Sequence, residues 1–351
     1  MKTYTRAIKL KLFSTKSKQR KIEALIYAYR KAVNFYLISL TMFNGKLDKE
    51  TLARLTKTKL SERYKSNALK QALGIYKSSL KTTKKIPHFN GYPILDAKFI
   101  NIQKGKNSFD LWIKTSNLAK GKPLYLPTKK HKRLNYWLSK GELIQGCELH
   151  KDKVIVWVKV NKESYKEGKL LAIDLGMNKL ITTNEKEYFG QKFNKLNDKI
   201  LRKKKNSKAY KKAIREMNNY VNYTINQLPW SELNVLIYEN LKNITKGSKG
   251  KRQSKKYRVK QQHWIVGKLI SRILFKCEEN RVRPVYVNPY NTSRTCPKCN
   301  NVGEANRSGE YFSCVLCGYN EDADFVGATN ILEKGLNWLR SLESLNSKSN
   351  N

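Results

Sequence analysis

Residues 296–331 read CPKCNNVGEANRSGEYFSCVLCGYNEDADFVGATNI, and the rest of the chain is read outward from them. Cys296, Cys299, Cys314 and Cys317 are spaced C-x2-C-x14-C-x2-C. Each CxxC turn points two thiolates at one place, and two such turns complete a tetrahedron around Zn2+. Gly318 follows the second pair, where a tight turn lets backbone amides approach the sulfurs. His88, His131, His150 and His263 are scattered and lack ligand spacing, so the four cysteines form a closed site and the zinc is architectural. Directly behind the second pair stand three acids, Glu321, Asp322 and Asp324.

Those acids are out of keeping with the composition. The chain of 351 residues carries 72 Lys plus Arg against 27 Asp plus Glu, a net charge of +45. Basic charge spread along a whole chain with interleaved aromatics is the electrostatic footprint of nucleic-acid binding. Apolar residues make up 40%, enough for a sizeable core and two or three domains. No stretch reaches the roughly 18 apolar residues that span a bilayer. The start, MKTYTRAIKLKLF, alternates Lys with apolar residues and has no continuous apolar region, so it does not read as a signal peptide. Six cysteines in a chain this long do not suggest a secreted disulfide scaffold; Cys147 and Cys277 stand alone in apolar patterns, as in a reducing cytosol.

The hydrophobic period changes along the chain. Ile8, Leu10 and Leu12 alternate with Lys9 and Lys11, the pattern of a half-buried strand. From Thr15, Ile22, Leu25, Ile26, Tyr29, Val33, Tyr36, Leu37 and Leu40 follow helical spacing until Asn44-Gly45. Two shorter helical patterns cover about 49–64 and 66–80. From Ile86, the runs SFDLWIKT, PLYLP, GELIQGCELH and KVIVWVKV predict an antiparallel barrel or sandwich. The first strand lacks a partner among the helices and is expected to pair into this barrel, making the helices an insertion. Trp112, Tyr125 and Trp157 lie on these strands, either as core or as stacking platforms for bases. A polar linker near 163–168 leads to LLAID, a turn at Gly176 and Asn178, a second strand, and EYFG as a third. A basic helical stretch spans about 195–228, then NVLIYEN reads as a buried strand. The loop from 241 to 260 holds nine Lys/Arg and no acid. A helix in HWIVGKLISRILFKCEEN and a strand in VRPVYVNP lead to the cysteines.

Asp174 ends LLAID and Glu239 ends NVLIYE. An acid at the end of an apolar strand can project into a cleft at the sheet edge; equally, it can cap a helix or meet a nearby Lys. Two such acids, with a third near DADF, point to hard-oxygen ligands for Mg2+ or Mn2+. A basic, polyanion-binding chain has reason to concentrate acids where a cation bridges them to phosphate.

Taken together, LLAIDLGMNKLITT, NVLIYENLKNI, YNTSRTCPKCN, FSCVLCG and DADFVGATNIL resemble TnpB proteins, the RNA-guided nucleases of insertion sequences related to type V CRISPR effectors. Order and spacing match over about 166–335. The resemblance implies a multidomain α+β fold: an RNase-H-like (RuvC) core with an inserted four-Cys zinc ribbon, and an N-terminal antiparallel β-barrel (wedge) with a helical insertion. The expected bounds are 1–14 with 86–165 for the wedge and 15–85 for the helical recognition insertion. The core takes 166–290 and 321–340, the ribbon 291–320, and 341–351 is a polar tail. Three acids of the family bind Mg2+ or Mn2+ and cut DNA; by motif position they fall on Asp174, Glu239 and Asp324. The family pattern D-R-D-x-N-A-A-x-N-I is met here by Asp322 to Ile331, with Val326-Gly327-Ala328 in place of N-A-A. That departure removes an amide and puts a glycine in the expected helix, at about 1 kcal/mol against Ala. Asp322 is then expected as a helix cap and Glu321 on the surface.

The resemblance further implies a guide RNA from the transposon end, target DNA, no membrane, and association with a transposase of the same element as a further partner. It implies a cytoplasmic, nucleoid-associated location. Candidate backbone contacts are Arg202, Lys203, Lys204 and Lys205 in the helical stretch, and Lys249, Lys251, Arg252, Lys255, Lys256 and Arg258 in the basic loop. Two other readings stay open. One is a catalytically silent RNA-guided DNA-binding regulator; the other is a strand-transferring DDE transposase, in which a closed ribbon between the second and third acids is not expected.

Overall fold

Strand and helix positions follow from the two hydrophobic periods and fall in two compact units, Met1–Lys162 and Glu163–Asn351. The computed structural model describes residues 3–46, 50–51, 58–80, 86–105, 108–119, 121–241 and 266–348.

In the first unit, β1 (Thr3–Lys11) pairs antiparallel with β7 (Lys153–Asn161) along its whole length, from Thr3 opposite Asn161 to Lys11 opposite Lys153. Its alternation buries Ile8 and Leu10. The first strand therefore finds its partner 150 positions on, beyond the helices. Helix α1 (Lys16–Met42) is capped by Thr15, whose side chain accepts from the Lys18 amide at 3.4 Å, and ends where Asn44 and Gly45 turn to positive φ. All eight apolar residues of its stripe are buried. Helix α2 (Glu62–Ser79) packs on it, with the Tyr29 hydroxyl donating to Gln71 at 2.8 Å. The boundary expected between Tyr64 and Ser66 lies at Ser61, the N-cap residue of α2; most of the preceding helical pattern lies outside the described residues.

The strands of this unit form two antiparallel sheets. One has the order β1-β7-β6-β2, with β2 (Ile94–Asp96) and β6 (Gly141–Leu149); the other has the order β3-β4-β5, with β3 (Ile100–Lys104), β4 (Leu111–Thr115) and β5 (Leu124–Thr128). An isolated bridge, Leu12 to Thr128, and the Gln145 side chain on the Ile102 amide (2.8 Å) tie the two together. A short helix, α3 (Lys132–Leu138), was invisible in the periodicity; His131 caps it and it buries Trp137. Tyr125 is exposed, whereas Trp112 and Trp157 are half-buried.

The second unit is built on a five-stranded sheet of order β10-β9-β8-β11-β12. Strands β8 (Lys169–Asp174), β11 (Leu233–Glu239) and β12 (Arg283–Val287) are parallel, while β9 (Ile181–Thr183) and β10 (Tyr188–Phe189) return antiparallel. The near-continuous apolar runs of β8 and β11 reflect burial on both faces. On one face, Leu171, Ile173, Leu236 and Tyr238 meet α4 (Phe193–Leu201), α5 (Lys208–Asn226) and α6 (Val266–Glu279). On the other, Ala172, Val235, Ile237, Val285 and Val287 meet Ile331 of α7 (Ala323–Lys348). A three-stranded ribbon, β13 (Arg307–Ser308), β14 (Tyr311–Ser313) and β15 (Asn320–Asp322), stands between β12 and α7 in sequence.

The basic stretch expected as helical from 195 to 228 is broken at 202–207. Asn206 takes φ +67° and Ser207 caps α5, its hydroxyl accepting from the Tyr210 amide at 3.0 Å. No described helix is long and apolar enough to cross a membrane.

Gly335 fixes how closely α7 lies on the sheet: a Cβ there would meet Ile237 Cδ1 at 2.6 Å and Cγ2 at 2.7 Å. Gly335→Leu should lower stability by about 1–3 kcal/mol through overpacking. The expected readout is a lower urea midpoint with an unchanged denaturant slope; an unchanged midpoint would contradict this packing.

Candidate active site and metal centre

Strand alternation decides where the first two acids point. Asp174 is two residues beyond Ala172, and Glu239 two beyond Ile237, and both of those side chains face α7. The parallel register pairs Tyr238 with Ile173, so the two acids end adjacent strands side by side. Asp324 sits in the first turn of α7, over the same edge. All three line one cleft of about 530 Å³, with Gly176, Thr292, Ser293, Arg307 and Gly327 among the other walls. Carboxyl ends of parallel strands are where open α/β sheets place their ligands.

Burial raises all three groups, and the charges of the other two add to it at Asp174. Burial, then the charges of Glu239 and Asp324, push Asp174 up to about 8, against the pull of Arg307 and the Leu175 amide. Glu239, 9% exposed, is also raised by burial, opposed by the Thr292 hydroxyl that donates to its Oε1 and by the charges of Lys334 and Arg307. Burial likewise raises Asp324, opposed by Lys179 and Arg307.

Several residues that sequence reasoning passed over hold this arrangement. Arg307 Nη2 donates to Asp324 Oδ1 at 3.2 Å. Lys179 lies 3.7 Å from Asp324 Oδ2 and pairs with Asp322. Asn330 Nδ2 donates to the carbonyls of Thr292 (2.7 Å) and Thr295 (2.8 Å), and Lys334 to those of Asn288 and Tyr290. Helix α7 thus grips the loop that carries Thr292 to Glu239.

Asp322 is the helix cap expected of it: its Oδ1 accepts from the amides of Asp324 (3.1 Å) and Phe325 (3.0 Å). Glu321 is partly exposed and pairs with Lys186. Both altered positions of the motif have local reasons. Val326 is fully buried with Cys296, Phe312, Cys314 and Ala323, an apolar setting that disfavours an amide. A Cβ on Gly327 would lie 3.0 Å from Asp174 Oδ2, so the glycine leaves room beside that carboxylate.

The four cysteines bring their sulfurs within 4.8 Å of one another, which among the described residues no other group of three or more His, Cys, Asp or Glu does. Cys296 and Cys317 sulfurs are 3.6 Å apart, and those of Cys299 and Cys314 3.5 Å. Thiolates on the corners of a zinc tetrahedron stand about 3.8 Å apart, so the donor set fits Zn2+. Backbone amides of Cys317 and Leu316 draw Cys314 down to about 6, while, against the pull of the Asn301 amide, burial and the neighbouring thiols push Cys299 up to about 12. Gly318 adopts φ +69°. The buried Asn306 joins the knuckles, donating to the Arg294 and Asn301 carbonyls and accepting from the Val315 amide. The three carboxylates are more widely spread than the thiols, and as hard oxygen donors their chemistry suits Mg2+ or Mn2+.

Of the basic residues, Arg202, Lys203, Lys204 and Lys205 are exposed together in the α4–α5 turn. Lys249, Lys251, Arg252, Lys255, Lys256 and Arg258 lie outside the described residues.

Comparison with known proteins adds to this geometry. Residues 267–331 match the model of the Cas12f1-like TNB domain. Over 71 residues the chain is 37% identical to the CRISPR-associated endodeoxyribonuclease Cas12f1 of Sulfoacidibacillus thermotolerans, a match covering 20% of this chain and 17% of that protein's length. Among solved structures, the mini-RNA-guided endonuclease CRISPR-Cas_phi3 aligns with a TM-score of 0.56 at 12% identity, over 95% of this chain and 92% of that one. The Cas12f1–sgRNA–target DNA complex aligns at 0.50 and 14%, over 94% and 98%. The fold is therefore mixed α+β and multidomain, similar to the folds of these two proteins. The family match thus rests on residues 267–331, and the chain aligns with only 17% of the length of that curated relative.

Two outcomes follow. Removing zinc should unfold the ribbon and loosen the start of α7, read as new protease cleavage between about 290 and 326; a chelated protein as resistant as the loaded one would contradict the zinc assignment. The second concerns pH. Folded Asp174 keeps its proton up to about 8, whereas its ordinary value is 3.8. The unfolded chain releases that proton first, so Asp174 contributes stability at low pH that is lost as pH rises through that window. The thermal midpoint of the zinc-loaded, magnesium-free protein should fall with pH there more steeply than that of Asp174→Asn; equal slopes would contradict the burial of this carboxyl.

Proposed function

We propose that the chain is an RNA-guided DNA endonuclease encoded by a transposable element. The observation that carries this reading is the convergence of Asp174, Glu239 and Asp324 on one cleft beside a four-cysteine ribbon. The relatives support it: one is named an endodeoxyribonuclease, and a structural neighbour was solved with sgRNA and target DNA. In this reading the five-stranded sheet and its helices are the RNase-H-like (RuvC) core, the ribbon an insertion in it, and the two N-terminal sheets a wedge barrel carrying the helices α1 and α2.

The chain's residues then take distinct parts. Asp174, Glu239 and Asp324 would hold two Mg2+ or Mn2+ ions, which when bound would supply the Lewis-acid chemistry of phosphodiester cleavage. Thr292 orients Glu239 through its hydroxyl hydrogen bond. Arg307, fixed on Asp324, presents a guanidinium to the phosphate that enters the cleft. The reaction adds water across one P–O ester bond. The exposed turn at 202–205 is a backbone contact for nucleic acid, and the basic residues from 249 to 258 are proposed for the same role from sequence. A guide RNA from the transposon end, target DNA and a transposase of the same element are the proposed partners, in a cytoplasmic, nucleoid-associated setting.

The test is the purified protein with its copurifying RNA, Mg2+ and a matching target. Cleavage is expected, and Asp174→Ala should lower its rate by on the order of 10²–10³ or more while leaving target binding intact. Binding without cleavage, unchanged by Asp174→Ala, would identify a silent DNA-binding regulator; absence of a discrete RNA would overturn the guide.

A further inference from the structure

Lys179 lies in the turn between β8 and β9, five residues beyond Asp174. It is one of 72 basic residues, yet its surroundings are unlike those of a solvated lysine. Its side chain is 18% exposed, and Nζ sits 4.7 Å from the centre of the Tyr188 ring. The same ammonium pairs with Asp322 Oδ2 and stands 3.7 Å from Asp324 Oδ2. Asp322 uses its other oxygen to cap α7. One lysine therefore touches both the residue that starts α7 and the acid that α7 delivers to the cleft.

Neighbouring contacts run in parallel with this one. Asn178, in the same turn, bonds Glu310 ahead of β14, and Lys186 before β10 pairs with Glu321 in β15. These brace the turns after β8 and β9 against the ribbon. Among the described residues, Lys179 alone of the three reaches Asp324. Asp324 Oδ1 is held by Arg307 from the ribbon side. Its two oxygens are thus fixed from two separate elements, and Lys179 belongs to the one that carries Asp174.

We propose that Lys179 is a positioning residue for the cation cleft, strapping the first turn of α7 to the turn after Asp174 and so setting the separation of the Asp174 and Asp324 carboxylates. This rests on the reading of the three acids as cation ligands. A lysine that merely sits nearby and a lysine that positions predict opposite signs. Deleting a nearby positive charge removes repulsion and tightens cation binding. Deleting a strap lets a ligand move and weakens binding, by about tenfold for a residue that orients a metal ligand.

The experiment measures Mn2+ binding to the full, zinc-loaded chain by electron paramagnetic resonance of free Mn2+, with no nucleic acid and no turnover. Wild type should bind Mn2+ and Asp324→Asn should lose most of that binding. If wild type binds none, or Asp324→Asn binds as wild type does, the reading of the cleft fails and the strap fails with it. Given binding in the cleft, Lys179→Met should weaken it about tenfold and Lys179→Arg should recover most of the loss. Asp322→Asn keeps a capping side chain but loses the charge that holds Lys179. It should weaken binding too, and the double variant Lys179→Met/Asp322→Asn should bind no more weakly than the worse single one. Equal or tighter binding by Lys179→Met overturns the proposal while leaving the cation cleft standing. Zinc content checks folding; if Lys179→Met has lost its zinc, Asp322→Asn and Lys179→Arg decide, and additive losses overturn the strap.

Discussion

Three carboxylates share one cleft at the edge of the sheet, where burial raises each and like charge adds at Asp174, and the second unit is arranged around offsetting that cost. Burial and like charge push the Asp174 carboxyl far above its ordinary range. The compensating cations come from three places: Lys179 from the turn after β8, Arg307 from the ribbon and Lys334 from α7. None of these belongs to the strands that carry the first two acids. The cleft can therefore form only when strand ends, ribbon and helix are all in place.

That dependence gives the four-cysteine ribbon its role. Its core is small, and it shares Ala323 and Val326 with the first turn of α7. The ribbon also supplies Arg307, and its last strand runs directly into the helix at Asp322. The four-cysteine cluster thus acts on the cleft as architecture, by fixing where the helix that carries Asp324 begins. Val326 and Gly327, where the chain departs from the TnpB motif it resembles, are explained by the same packing: one fills the ribbon core and the other makes room beside Asp174.

Much of this was legible in the sequence because local signals carry it. Acids that end apolar runs, cysteines at ligand spacing and an Asp at a helix start are all readable from neighbours in the chain. The alternation of β1 and the stripe of α1 were equally plain. Lys179, Arg307, Thr292, Asn330 and Lys334 were not, because their roles arise from contacts between residues up to 143 positions apart. In a chain with 72 cations, no periodicity marks two lysines and one arginine as different from the rest. The break at 202–207 had a local signal, Asn206-Ser207 as a turn and cap, hidden inside a uniformly basic run. Helix α3 was missed for lack of length: seven residues are too few to establish a helical period.

The central claim is that the three acids form a cation site. Its most direct measurement is anomalous diffraction at the manganese edge from crystals of the zinc-loaded protein soaked in Mn2+. Manganese peaks within coordination distance of Asp174, Glu239 and Asp324, absent in Asp174→Asn, are the predicted result. A cleft without manganese, with Arg307 and Lys179 still closed on Asp324 at saturating Mn2+, would contradict the account.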